Sequence, residues 1–246
     1  MSLLNQKLRL AVRAWKYRVK LDPAEVSYVR RTIARGNTAI DLGAHKGGYT
    51  YWLAESVGRR GTLVSIEPQK QLADRLTQLV ASRPQCQVRW AAISDSEGTG
   101  RLSVRTKDGP SHGASLTGFA GGETGRVDEV PTISLSGLAE AHKLDRCDFI
   151  KCDVEGHEVA VFAAAGEFLK KFRPTVLCEC ELQHQKGGHE KSGVERLRDC
   201  FEPLGYKTLY FKGGSLHPVS EFDAVRDQTY GTGEYCNNFV FEPGAR

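Results

Sequence analysis

The stretch Thr38-Ala-Ile-Asp-Leu-Gly-Ala-His-Lys-Gly-Gly-Tyr-Thr50 decides the fold. An apolar run carries one acid, Asp41, and stops at Gly43; Gly47 and Gly48 follow, then helix-forming residues. This pattern reads as strand, tight loop and helix. Glycines let such a loop turn sharply and let backbone approach a ligand closely. In open α/β sheets, ligands bind at the carboxyl ends of strands. Outward from this loop, short apolar runs alternate with helical stretches. Strands are predicted near 38–42, 62–67, 86–93, 148–153, 174–180, 206–211 and 237–242. Helices are predicted over 22–35, 49–58, 69–82, 136–143, 156–171 and 192–203, the first with Asp22 as N-cap and Pro23 at its first position. The alternation predicts an α/β fold, a largely parallel sheet with helices on both faces.

Composition agrees with one large α/β domain: 246 residues, net charge +4, 40% hydrophobic and 26% charged. No uncharged apolar run approaches the ~18 residues needed to span a bilayer. Seven cysteines, an odd count with no C-x-x-C pair, read as reduced thiols of a cytoplasmic protein. Residues 1–21 stand apart from the domain at 22–246. They hold Lys7, Arg9, Arg13, Lys16, Arg18 and Lys20 and no acid, with Leu4, Leu8, Val12, Trp15 and Val19 at helical spacing. Charges interrupt any signal-peptide core. This basic amphipathic helix either docks on the domain with its basic face in water or makes peripheral contact with an anionic membrane. A Gly-rich insertion at about 98–134 reads as a binding loop or lid.

The first loop narrows the cofactor. It does not fit the dinucleotide pattern G-x-G-x-x-G, nor a Walker loop. Asp41 at the strand tip would repel a pyrophosphate and favour a cationic amine or sulfonium; S-adenosylmethionine carries both. Glu67-Pro68 ends the second strand, where an acid accepts hydrogen bonds from ribose hydroxyls of NAD or S-adenosylmethionine alike. Ala91-Ala92-Ile93-Ser94-Asp95 is a candidate adenine wall.

These elements, with Phe149-Ile-Lys-Cys-Asp-Val-Glu-Gly-His-Glu158, resemble the FkbM family of S-adenosylmethionine-dependent methyltransferases. Ala92-Ile-Ser-Asp95, Gly113-Ala-Ser-Leu116 and Val130-Pro-Thr-Ile133 resemble its middle section, and the likeness runs in order over about 36–242. It implies the class I methyltransferase fold, Rossmann-like, a seven-stranded mostly parallel sheet with an antiparallel last strand. It also implies O-methylation of a small-molecule or glycan acceptor. Carried over, Asp41, Gly43, Ala44 and Gly47, with His45, Tyr49 and Thr50, would cradle the methionine part. Glu67 and Pro68 would hold the ribose, and Ala92, Ile93 and Asp95 the adenine. Asp153, Glu155 and Gly156 would face the reaction. His45 stands where the family carries Asn, and Lys46 is unusual beside it.

An alcohol is a poor nucleophile, so a base near the acceptor helps. Asp153, Glu155 and His157 cluster after the fourth strand. His157 is either that base or a structural histidine; Asp153 is base, substrate ligand or cofactor ligand. Glu179 and Glu181 share one strand face. Asp153 and Glu179 would then approach each other, to bind substrate hydroxyls or Mg²⁺. His184, His189 and Glu190 read as a solvated loop or a transition-metal site. Ser111, His112, Ser115 and Leu116 would close over the acceptor. Two rival readings are an NAD-dependent Rossmann enzyme and a non-catalytic scaffold. A nucleic-acid acceptor is disfavoured: the excess charge lies in the first twenty residues, and no Asn/Asp-Pro-Pro-Tyr/Phe motif occurs.

Overall fold

The computed structural model describes residues 3–111, 113–118, 125–181, 191–231 and 233–244. The helices are α1 (Leu3–Lys16), α2 (Pro23–Thr32), α3 (Gly48–Val57), α4 (Lys70–Val80), α5 (Leu135–Ala141), α6 (Glu158–Ala163), α7 (Gly166–Phe172), α8 (Gly193–Phe201) and α9 (Ala224–Asp227). The strands are β1 (Thr38–Leu42), β2 (Thr62–Glu67), β3 (Cys86–Trp90), β4 (Ala92–Ile93), β5 (Gly98–Val104), β6 (Ala114–Ser115), β7 (Arg126–Ile133), β8 (Phe149–Cys152), β9 (Thr175–Glu179), β10 (Tyr206–Lys212), β11 (Ser215–Pro218) and β12 (Asn238–Pro243). His112, His184, His189 and Glu190 lie outside the described residues.

The main sheet runs β11-β10-β12-β9-β8-β1-β2-β3. All seven expected strands are in it, and β12 is antiparallel to both β9 and β10. The eighth, β11, is a hairpin extension of the edge, paired antiparallel to β10. Residues 86–93 are not one strand. β3 ends at Trp90, the register partner of Glu67, where β2 also stops. With no neighbour left, the chain turns and β4 pairs with Thr132 and Ile133 of β7. The insertion is therefore a second sheet, β4-β7-β5-β6, held by the long antiparallel β5–β7 ribbon.

β1 lies between β2 and β8, parallel to both, and every residue of it is buried. Side chains alternate, so one face of the sheet takes Ala39, Phe149 and Leu177 with α2 and α3. The other takes Ile40, Leu42, Ile150 and Val176, packed with α5 to α8. α8 starts at a capping box: Ser192 Oγ accepts from Glu195 N–H, and Glu195 Oε2 accepts from Ser192 N–H. The helix predicted over 156–171 is two helices. The break falls just before Gly166, the poorest helix former in the run, and lets both Phe162 and Phe168 enter the core.

α1 packs against α3 and α4 and continues as a π-turn, Tyr17–Leu21. Ala14 is buried, and its carbonyl accepts from Trp52 Nε1 at 2.7 Å. The apolar residues Leu4, Leu8, Val12, Trp15 and Val19 are all exposed. Asp22 occupies the N-cap position of α2 without a side-chain cap; its carboxylate instead accepts from Tyr49 Oη at 2.8 Å. Among the described residues, no helix is long and apolar enough to cross a membrane.

The Trp52–Ala14 hydrogen bond is the buried polar tie between α1 and α3. Trp52→Phe removes it, at about 0.5–1.5 kcal/mol. Limited trypsinolysis should then cut after Lys16 and Lys20 severalfold faster, with the core helices unaffected. An unchanged cleavage rate would refute the anchor.

Candidate functional site

The carboxyl ends of β1, β2, β8 and β9 converge beside the insertion. Asp41 and Lys151 are register partners on neighbouring parallel strands, so they share one face. Asp153 and Glu179 fall on the same face by alternation. Gly43, with φ +79°, passes against β8: a Cβ there would lie 1.8 Å from the Asp153 carbonyl oxygen. The first loop is fixed by Gly43 N–H and Ala44 N–H, which both donate to the Ile66 carbonyl.

Two chambers meet at Gly43, His45 and Asp153. The wide one is lined by Glu67, Pro68 and Gln69 on one side and by Ala92, Ile93, Leu102 and Leu116 on another. Val154, Glu155 and His157 complete it. Glu67 is 2% exposed. Its Oε2 accepts from His45 N–H at 2.7 Å and its Oε1 from Gln69 N–H at 2.8 Å. Gln69 then clamps the insertion, accepting from Ser111 N–H and donating to the Ser111 carbonyl, which also accepts from His45 Nε2 at 3.2 Å. Ser115 Oγ donates to the Glu155 carbonyl at 2.6 Å. Thus Leu116 lines this crevice, and Ser111 and Ser115 tie the insertion to its walls.

The narrow chamber is lined by Asp41, Ala44, Tyr49 and Lys151, and roofed by Arg13 and Tyr17 of the N-terminal segment. Asp41 accepts from Thr50 Oγ1 at 2.6 Å. The Lys151 ammonium lies 5.0 Å from the Tyr49 ring centre and donates to the Cys152 carbonyl. Tyr17 sits edge-on to Tyr49, over Gly48.

Burial dominates the electrostatics. It raises Asp41 to about 6, against the opposing Thr50 hydrogen bond and the Lys151 charge. It raises Glu67 and Glu158 to about 7. Glu155 is pushed up to about 8 by burial and then by Asp153, Glu181 and Glu158. Glu179 is raised well above the carboxylate range by burial and the Asp153 charge. Lys151 is the buried counter-charge: Asp153 and Glu179 more than offset its desolvation, and its pKa is raised. Burial lowers His157, and Asp95 partly opposes this.

Most of the expected residues are brought together, but some in other roles. Thr50 stands behind Asp41 rather than lining a chamber. Gly47 faces Leu10 and Leu76, so its missing side chain serves the packing of α1 and α4. Asp95 is exposed, takes hydrogen bonds from Ser94 and Ser96, and lines neither chamber. His157 Nε2 lies 3.0 Å from Ser94 Oγ, beside the Ala92–Ile93 wall. Glu179 and Glu181 do share a face, both accepting from Asn237 Nδ2 at 2.9 Å. Among the described residues, no three His, Cys, Asp or Glu side chains form a metal-ligand group. Lys151, Gln69, Arg13 and Tyr17 were not among the expected site residues. Strand alternation alone puts Lys151 beside Asp41 and Asp153; the others reach the site only through tertiary packing.

A family model described as the methyltransferase FkbM domain matches residues 41–208. Among curated proteins, the ribosomal RNA large subunit methyltransferase E of Haloarcula marismortui is 27% identical over 141 residues, covering 56% of this chain and 48% of that protein. The chain thus spans about half the length of that relative. Two solved structures are similar in fold. An O-methyltransferase from Bacillus cereus, crystallised with S-adenosylhomocysteine, has a TM-score of 0.50 and 17% identity, covering 98% of this chain and 90% of that one. The O-methyltransferase of tomaymycin synthesis from Streptomyces achromogenes, crystallised with S-adenosylmethionine, has a TM-score of 0.50 and 16% identity, covering 96% and 89%.

The raised carboxylates predict a pH dependence of stability. Folded Glu67, Glu158 and Glu155, at about 7, 7 and 8, hold protons that the unfolded chain releases at ordinary carboxylate values. Their stabilisation is therefore full at low pH and lost as pH rises through those folded values. The urea midpoint of the ligand-free protein should fall as pH rises from about 5 to about 8 and level off above that. Glu155→Gln should flatten that slope; a wild-type slope of zero or opposite sign would refute the assignment.

Proposed function

This chain belongs to the FkbM methyltransferase family, and we propose that it is an S-adenosylmethionine-dependent O-methyltransferase acting on a hydroxyl of a glycan or small natural product. The observation that carries the reading is the junction at Gly43, His45 and Asp153. There a wide, half-apolar chamber walled by Glu67, Ala92 and Ile93 opens onto a charged one containing Asp41 and Lys151.

The residues present fit the cofactor. Glu67 turns a buried carboxylate, held by two backbone N–H groups, to the wide chamber. This suits the two ribose hydroxyls. Ala92, Ile93, Leu102 and Leu116 offer apolar walls to a flat base. The Ser94 hydroxyl donates to Asp95, so His157 Nε2 carries the imidazole proton. His157 Nδ1 is then a buried acceptor without a partner, suited to the adenine amino group. We therefore assign His157 to the adenine end rather than to proton transfer. In the narrow chamber Asp41 suits an ammonium group, and Arg13 and Lys46 bring positive charge for a carboxylate. The cofactor supplies, when bound, a sulfonium-activated methyl group.

The chain's own work is orientation, water exclusion and proton handling. Asp153 stands at the junction and orients the acceptor hydroxyl. Glu155, raised to about 8, takes the hydroxyl proton once it is ionised. Its backbone is strained, with φ +53°, and is held there by the Ser115 hydrogen bond. Lys151 offsets the repulsion between Asp153 and Glu179. The Gln69–Ser111 clamp and Leu116 keep water from the acceptor.

Calorimetry should find micromolar binding of S-adenosylhomocysteine, weakened at least about tenfold in Glu67→Ala. A folded protein that binds neither it nor S-adenosylmethionine would refute the reading. Turnover against a panel of sugars and polyhydroxylated natural products, with ¹³C-methyl donor, should give O-methyl signals; an N-methyl product alone would refute the acceptor class.

Asp153→Asn should lower kcat about 100-fold while S-adenosylhomocysteine affinity stays within severalfold. The wild-type rate should rise with pH and level off above about 8, because Glu155 must lose its proton to act. Glu155→Gln should remove that limb. A wild-type profile flat across this range would exclude Glu155 as the base.

A further inference from the structure

The first helix carries two faces, and the fold uses one. On its inner face, Leu10 packs at Gly47, Ala14 is buried against Trp52, and Tyr17 covers Gly48. Leu4, Leu8, Val12, Trp15 and Val19 recur every three or four residues on the opposite face. They are exposed, from 50% at Trp15 to 76% at Leu4. The sequence left open whether this stripe docks on the domain or on a membrane; the structure docks Leu10, Ala14 and Tyr17 on the domain and leaves the stripe exposed. Residues 3–21 contain no acid. Arg9, Lys16 and Lys20 are exposed along one flank of the stripe. Arg18 lies on the other flank, with its guanidinium 4.9 Å from the Trp15 ring centre. Arg9 also joins Arg13, Lys46 and Arg75 around a cleft between α1 and α4.

We propose that α1 is an interfacial helix that docks this protein on an anionic lipid bilayer, with the Leu4–Val19 stripe in the acyl boundary and the flanking cations on lipid phosphates. An exposed apolar stripe bordered by lysine and arginine is the pattern that gains from both the apolar and the charged parts of such a surface. RNA would take the cations but gain little from a leucine–valine stripe. A second copy would bring the same cations against these cations, with no acid on the helix to answer them. Arg13 and Tyr17 of this segment also line the narrow chamber, so docking would hold the crevice beside the lipid surface. The docking surface does not depend on the chemistry proposed above.

The test is co-sedimentation of the full chain with vesicles of phosphatidylglycerol and phosphatidylcholine, or of phosphatidylcholine alone. Most of the protein should pellet with the anionic vesicles, little with the neutral ones, and less as salt rises. Leu8→Glu with Val12→Glu, both outside the crevice, should weaken binding at least about tenfold. Its melting temperature and helicity should stay near wild type. Lys16→Glu with Lys20→Glu provides an independent variant should that one fail to fold, and should lose binding to a similar extent. No pelleting with anionic vesicles would overturn the proposal, as would pelleting that both variants retain. It would also be overturned if polyuridylate bound the wild type and the Leu8/Val12 variant equally and displaced the vesicles. A concentration-dependent dimer in sedimentation velocity, abolished by the Leu8/Val12 variant, with no vesicle binding, would assign the stripe to a second copy instead.

Discussion

Two strand ends meet in this molecule at a point where no side chain fits. Gly43 runs so close to the Asp153 carbonyl that even a methyl group there would overlap it. The approach is set by the parallel register of β1 and β8, which levels Asp41 with Lys151 and lets Asp153 N–H donate to the Leu42 carbonyl. A one-residue slip would turn Lys151 to the opposite face and carry Asp153 away from Gly43. The junction between the two chambers exists because that register holds.

The cost of the arrangement is electrostatic. Asp41, Glu67, Glu155, Glu158 and Glu179 are drawn into one partly desolvated region, and each has its pKa raised. Among the described residues, Lys151 is the buried cation beside them, and its charge is stabilised by Asp153 and Glu179. Backbone N–H groups and hydroxyls relieve part of the rest, as at Glu67 and Asp41. A ligand that brings positive charge into this crevice relieves more. Such a site selects a cationic ligand by field as well as by shape. The stability that tolerates it comes from elsewhere, notably the core around the stacked Phe201 and Phe241.

Segments distant in sequence complete the enclosure. The insertion forms a small sheet of its own and is tied down at Gln69, at His45 and at the Glu155 carbonyl. The N-terminal segment unwinds into a π-turn at Tyr17, at the roof of the narrow chamber. Such irregular turns are frequent at functional sites. The wide chamber thus takes walls from the insertion and the narrow one from the N-terminal segment.

Much of this was legible in the residues alone. The strand–glycine–helix pattern at 38–50, the acids Asp41 and Glu67 at strand ends, and the apolar alternation predict the parallel sheet and the crevice, because they depend on local geometry and on a period of two. Alternation also predicts that Glu179 and Glu181 share a face. The split of 86–93 was not legible, because it depends on where β2 ends. Nor was the exile of Asp95, or the attachment of His157 to Ser94, because those depend on a second sheet whose pairing is non-local. The first helix shows the limit most plainly. Its periodicity identifies an apolar stripe, but periodicity cannot say which face a helix turns inward. Only the packing of Leu10, Ala14 and Tyr17 onto α3 and α4 decided that, with Leu10 and Tyr17 filling the space over Gly47 and Gly48, Ala14 letting Trp52 reach the helix backbone, and the stripe left in water.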